Sequence, residues 1–124
     1  MAIEKVAIPA ESEDGLNSLV SGHFGQAPVF VLSTIKDGEI SEIELFSNSI
    51  HNGCAGLIQN LVDRGVQILI TQGMGRRPYI MAKEAGIPII RAVGSTVNEA
   101  IENYMRGTTT QVDDNDLCSR GKAP

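Results

Sequence analysis

At 124 residues with 42% hydrophobic content, the chain is long enough to bury one core and too short for two ordinary domains. Its formal charge of -5 and the absence of a Lys/Arg-rich stretch argue against a positive stripe for a phosphate backbone, so neither nucleic acid nor anionic membrane is an expected partner. No segment approaches bilayer-spanning length, and Met1 to Val6 lack a basic region followed by a long apolar run, so a cytoplasmic protein is expected.

Aromatics make up 4% and Trp is absent, which leaves Val, Ile, Leu, Ala and Met to fill the core, the usual filling of a sheet covered by helices. Lys5 to Pro9 reads as a first strand, ended by Pro9 and the polar loop Glu11 to Gly15. Val29 to Ile35 and Ile40 to Phe46 are β-rich runs flanking Lys36-Asp37-Gly38-Glu39, a hairpin signal. Cys54, Leu57, Ile58, Leu61 and Val62 then recur at helical spacing up to Gly65, and Val66 to Thr71 is a buried-type strand. Pro78 to Ala85 is predicted as a helix ended by Gly86, and Ile87 to Val93 as another strand. Thr96 and Glu99 form a capping box that opens a helix with the apolar face Val97, Ala100, Ile101, Tyr104 and Met105, closed by Gly107.

The order βββαβαβα predicts a single α/β domain over residues 1–107, with a five-stranded mixed sheet and helices packed on it. Residues 108–124, with Thr108-Thr109-Thr110 and Asp113-Asp114-Asn115-Asp116, have little to bury and are expected to form a flexible polar tail. Cys54 opens a patterned segment and Cys118 lies in that tail. Both are expected to be free thiols, with Cys118 dispensable for folding and at most an auxiliary ligand.

Three loops offer chemistry. In Ser21-Gly22-His23-Phe24-Gly25-Gln26-Ala27-Pro28 a histidine and an aromatic stand between glycines just before a strand. Such a loop either brings backbone close to a ligand or forms a tight turn in which His23 caps a carbonyl and Phe24 plugs the core. In the second loop His51 and Cys54 stand three apart at a helix entrance, where the helix N-terminus favours a thiolate and both side chains suit iron, copper or zinc. Cys54 also falls on the apolar stripe, where it would be a small core residue. Together His23, His51 and Cys54 can supply three metal ligands if the loops converge. The chain lacks the paired Cys-x-x-Cys ligands of a closed zinc or four-thiolate iron-sulfur site, so a loosely held, exogenous cluster fits better. The third loop, Thr71 to Pro78, turns from strand to helix through Gly73, Gly75, Arg76 and Arg77. It is either an anion site or a sharp turn with solvated arginines. No nucleophile elbow or paired acid and base stands out, and an enzyme is not expected.

These runs, together with Thr-Val-Asn-Glu-Ala at 96–100, resemble the dinitrogenase iron-molybdenum cofactor biosynthesis family from about residue 3 to residue 107. That family includes NifX-like carriers, the C-terminal domain of NifB, and small orange proteins that hold a molybdenum-copper sulfide cluster. The resemblance implies a three-layer fold like that of ribonuclease H, and binding and delivery of a preformed anionic metal-sulfur cluster that is not permanently held. The cargo would be an iron-molybdenum cofactor precursor, an iron-sulfur cluster or a molybdenum-copper sulfide. It makes His23 the first candidate contact, with Phe24 and Gly25 beside it as candidate binding residues and His51 and Cys54 next; in a cluster carrier Gly73, Gly75, Arg76 and Arg77 would offset cluster charge. Cluster donor and acceptor proteins are the implied partners. Ala7 or Ile8 stands where a nuclease of that fold would carry a first-strand carboxylate, which argues against nuclease activity. The alternative reading is a regulatory domain that responds to a small anion or nucleotide through the 73–78 turn.

Overall fold

Alternation along the first strand divides the protein into its layers. β1 (Ile3–Ala10) sends Val6, Ile8 and Ala10 to one face of the sheet and Ala7 to the other, and all four are buried. A strand with both faces covered is the centre of a sandwich. The computed structural model describes residues 3–22, 24, 27–47, 53–73 and 76–107, with residues 53–57 described for their backbone alone.

β2 (Val29–Lys36) runs antiparallel to β1, from Ile3 opposite Lys36 to Ala10 opposite Val29. β3 (Glu39–Ser47) returns beside β2 through Asp37 and Gly38, at φ 55° and 83°, the left-handed pair that a two-residue turn between right-twisted strands requires. The β2–β3 register shifts between Thr34 and Ile35 and leaves Ser41 as a bulge. Then follow α1 (Gly53–Asp63), β4 (Ile68–Thr71), α2 (Arg76–Glu84), β5 (Ile89–Arg91) and α3 (Val97–Arg106). β4 is parallel to β1 and β5 is parallel to β4, giving the mixed five-stranded order β3-β2-β1-β4-β5.

Helices cover both faces, so the expected α/β sandwich is the observed one. On one side Ile58 and Leu61 of α1 and Tyr79 and Ala82 of α2 pack on Ala7, Phe30, Leu32 and Leu69. On the other, Val97, Ala100 and Ile101 of α3 pack on Val6, Ile8, Val31 and Ile70. α3 runs from the carboxyl end of β1 to its start, where Tyr104 Oη donates to Glu4 Oε1 at 2.9 Å. Burial, then that bond and repulsion from Glu4, push the Tyr104 phenol up to about 12.

Several boundaries differ from those the sequence predicts, each for a local reason. β4 and β5 start later than Val66 and Ile87, because those residues donate their N–H groups back to Leu61 and Ala82 at the ends of α1 and α2. Gly65 and Gly86 make that return at φ 85° and 81°. β1 runs through Pro9 to Ala10, since its pairing with β2 outlasts its pairing with β4, which covers Val6 and Ala7. α2 begins at Arg76, two residues before the predicted start, which places Pro78 in a first turn whose N–H groups have no helical acceptor. Val62 of the predicted apolar stripe is 37% exposed. The tail at 108–124 lies outside the described residues.

One buried polar atom has no partner among the described residues: the hydroxyl of Ser33, fully buried between Val6 and Ile43 in the row facing α3. Ser33→Ala removes an unmet desolvation cost and leaves a void of one oxygen. It is expected to raise stability by about 1 kcal/mol, read from chemical denaturation.

Candidate functional site

The strand directions bring the three sequence-predicted loops to one end of the sheet. The carboxyl ends of β1 and β4 point the same way because the two strands are parallel. β2 starts and β3 ends at that edge, since Ala10 lies opposite Val29 and Val29 opposite Ser47. The chain therefore enters β2, leaves β3 towards α1 and leaves β4 towards α2 at this edge. The chain departs from β1 towards β2 and from β4 towards β5, in opposite directions across the sheet. In open α/β sheets such a switch point, outside the carboxyl ends of the strands, is where ligands bind.

Side chains fix which face of this edge the loops occupy. Phe24 is 1% exposed and meets Phe30 edge to face at 5.2 Å and 73°, and Ala27 is buried in the same core. That core is the one shared with α1 and α2, so the 21–28 loop is anchored on their side of the sheet. Phe24 thus fills the core as the tight-turn reading of this loop has it, and its ring acts as anchor to its neighbours instead of facing solvent. Phe46, at the end of β3, packs 6.3 Å from Phe30 and carries the Arg64 guanidinium 4.3 Å over its ring.

The third loop is pinned at its root. Thr71 is fully buried and donates its hydroxyl to the Gly73 carbonyl at 3.0 Å, while the Gln72 amide donates to the Gly94 carbonyl at 3.3 Å. Arg76 and Arg77 follow as exposed residues in the first turn of α2, with no ion pair among the described residues. Thr71 and Gln72 belong to the predicted 71–78 turn, but their hydrogen bonds and the part played by Gly94 were not evident from the sequence.

Charge at the edge is divided. On the α3 side lie the exposed Glu11, Glu13 and Asp14, in a loop whose Leu16 packs against the α3 core. Glu99 there accepts from the N–H groups of Ser95 (2.7 Å) and Thr96 (3.2 Å), while the Thr96 hydroxyl accepts from Glu99 N–H, so α3 supplies its own anion. On the other side, α1 and α2 also begin at this edge, and neither carries an acidic residue in its first turn. Two helix N-termini and two guanidinium groups make that half the one suited to an anion.

Of the predicted contacts, Gly73, Arg76 and Arg77 stand together here, and Cys54 is the second residue of α1, its side chain not described. His23, Gly25, His51 and Gly75 lie outside the described residues. Among the described residues no three His, Cys, Asp or Glu side chains gather as a metal site, and no helix is long and apolar enough to cross a membrane.

The fold is thus an α/β sandwich with a five-stranded mixed sheet and helices on both faces. The chain belongs to the dinitrogenase iron-molybdenum cofactor family, whose model matches residues 4–107. It is similar to the uncharacterised protein MJ0580 of Methanocaldococcus jannaschii, 29% identical over 107 residues that cover 83% of this chain and 86% of the relative. Among solved structures, PH0822 is 30% identical with a TM-score of 0.78, covering 89% of this chain and 97% of that one. A Thermotoga protein described as a candidate NifB protein is 33% identical with a TM-score of 0.74, covering 87% and 92%. The apo orange protein of Desulfovibrio gigas shares the fold, with a TM-score of 0.75 at 24% identity, covering 88% and 92%.

The α3 cap gives an acid-side prediction. Hydrogen bonds from Ser95 and then Thr96 hold the Glu99 carboxyl below its ordinary 4.5. A depressed carboxyl contributes stability that is present above 4.5 and lost as pH falls through the lowered folded value. Glu99→Gln is expected to flatten that part of the stability profile, measured by thermal unfolding between about pH 6 and about pH 2.

Proposed function

We propose that this protein binds a metal-sulfur cluster or cluster precursor at the α1/α2 side of the carboxyl edge and carries it between cytoplasmic donor and acceptor proteins of metallocofactor assembly, catalysing no reaction itself. The observation that carries this reading is that the start of β2, the end of β3 and the end of β4, the strand ends next in sequence to His23, to His51 with Cys54, and to Gly73 to Arg77, share one sheet edge in a chain of the iron-molybdenum cofactor family. The three potential ligands come from two loops, and exchangeable ligands of that number suit delivery more than permanent storage. The open N-termini of α1 and α2 and the guanidinium groups of Arg76 and Arg77 offset the negative charge that thiolate and sulfide ligands give such a cargo. The centre of β1 argues against a nuclease of this architecture, since Val6, Ala7 and Ile8 are apolar and fully buried and offer no carboxylate.

Anaerobic titration with a synthetic iron-sulfur cluster and with a copper-tetrathiomolybdate complex tests the reading, followed by gel filtration and metal analysis. One of them is expected to co-elute with the chain as a chromophore. His23→Ala and His51→Ala are each expected to weaken that binding at least about tenfold, near 1.4 kcal/mol, with the melting temperature unchanged. Co-elution of neither cluster sinks the proposal. Stabilisation by a phosphate-bearing metabolite together with indifference to both clusters would favour the anion-responsive regulatory reading instead.

A further inference from the structure

The sheet ends on one side in a strand far longer than its counterpart. β3 spans nine residues against three in β5, and among the described residues its outer edge faces no other strand. Open edges present a row of backbone donors and acceptors and are usually blunted. Here the bulge at Ser41 interrupts the first half, while Glu42 to Ser47 keeps one regular register with β2.

The side chains on this run alternate by chemistry as well as by face. Ile43 and Leu45, in the rows facing α3, are each 43% exposed. Glu42 and Glu44 point to the other face, where an open hollow of about 320 Å³ is lined by Lys5, Leu32, Thr34, Glu42, Ile43 and Glu44. Glu44 is held by Arg64 at 2.6 Å and Lys5 at 3.5 Å. Glu39 and Glu42 have no ion pair among the described residues. The edge therefore offers backbone pairing, two apolar contacts on one face and unneutralised negative charge on the other.

We propose that the outer edge of β3 is a docking site for an extended segment of another protein, one that alternates apolar and Lys/Arg side chains and adds to the sheet as a sixth strand. Its apolar residues cover Ile43 and Leu45, and its cations lie over Glu42 and the hollow beside it. Cross-strand opposite charges and apolar pairs stabilise such an addition, whereas like charges directly opposite oppose it. That rule disfavours a second copy of the chain. In the two antiparallel registers that set Ile43 against an apolar residue of the copy, Ile43 or Leu45, either Glu42 meets Glu44 or Glu44 meets Glu44. The proposal concerns the sheet edge and does not rest on the nature of the cargo.

The test is nuclear magnetic resonance titration of the full chain with a synthetic peptide of alternating valine and lysine, beside one in which glutamate replaces each lysine. The lysine peptide is expected to shift the amides of residues 42–47 and to slow their hydrogen exchange, and the glutamate peptide to leave them in place. Glu42→Lys and Leu45→Lys, both at exposed positions, are each expected to lower affinity at least about tenfold with the melting temperature unchanged. Shifts confined to other surfaces, equal binding of both peptides, or no binding by the intact chain would overturn the proposal. So would sedimentation of the free chain as a dimer that Leu45→Lys converts to monomer, because a second copy would then occupy the edge.

Discussion

The pairing of β1 constrains everything else in this protein. One strand cannot be antiparallel to β2 along its length and parallel to β4 on its other side without bringing the start of β2, the end of β3 and the end of β4 to a single edge. The loops at that edge are therefore neighbours by strand direction, whatever their own sequences. What allows β1 to hold this position is its apolar centre. Val6, Ala7 and Ile8 are fully buried, with successive side chains sent to opposite cores, so that helices can be packed on both faces. A charge at any of these positions would lie in a core between sheet and helix with no partner.

The second constraint is electrostatic, and it separates three helices that begin at the same edge. α3 satisfies its own N-terminus through Glu99, and Gly94 is needed for that arrangement. A Cβ at residue 94 would lie 2.6 Å from the Glu99 Cβ, and its φ of 117° already excludes most side chains. α1 and α2 have no such internal anion in their first turns. The edge is thus closed to an external anion on the α3 side and open on the α1/α2 side. The phenylalanine of the 21–28 loop reinforces this choice, since burying Phe24 against Phe30 commits the loop to the open side.

Element order, the hairpin and the α3 cap were legible in the sequence because each rests on contacts within a few residues. Asp37-Gly38 and Thr96 with Glu99 are short-range devices, and the structure places both as expected. Strand boundaries were less legible, because whether Val66 or Ile87 joins the sheet depends on where its N–H finds an acceptor, and both are taken by a helix end. The anchoring role of Phe24 was part of one of two open readings, and it takes the position of Phe30 and of the α1/α2 core to show it. The pinning of the 72–75 turn by Thr71, and its tie through Gln72 to Gly94, could not be read at all. Gln72 and Gly94 are distant in sequence and meet because β4 and β5 are parallel neighbours.

The two halves of the sheet differ in how firmly they are tied. The β1–β2–β3 half is paired over eight residues at each junction, and Arg64 joins it to α1 by lying over Phe46 and bonding Glu44. The β4–β5 half is paired over three residues, and β4 meets β1 over two. Local opening draws on the parts with the fewest backbone pairs, so the turn into α2 hangs from the looser half while the long edge of β3 belongs to the firmer one. The turn into α2 is thus the part of the carboxyl edge that opens at lowest cost, whereas the 21–28 loop leads into the firmer half. An added strand needs an edge that keeps its register while it pairs, and the antiparallel half supplies one.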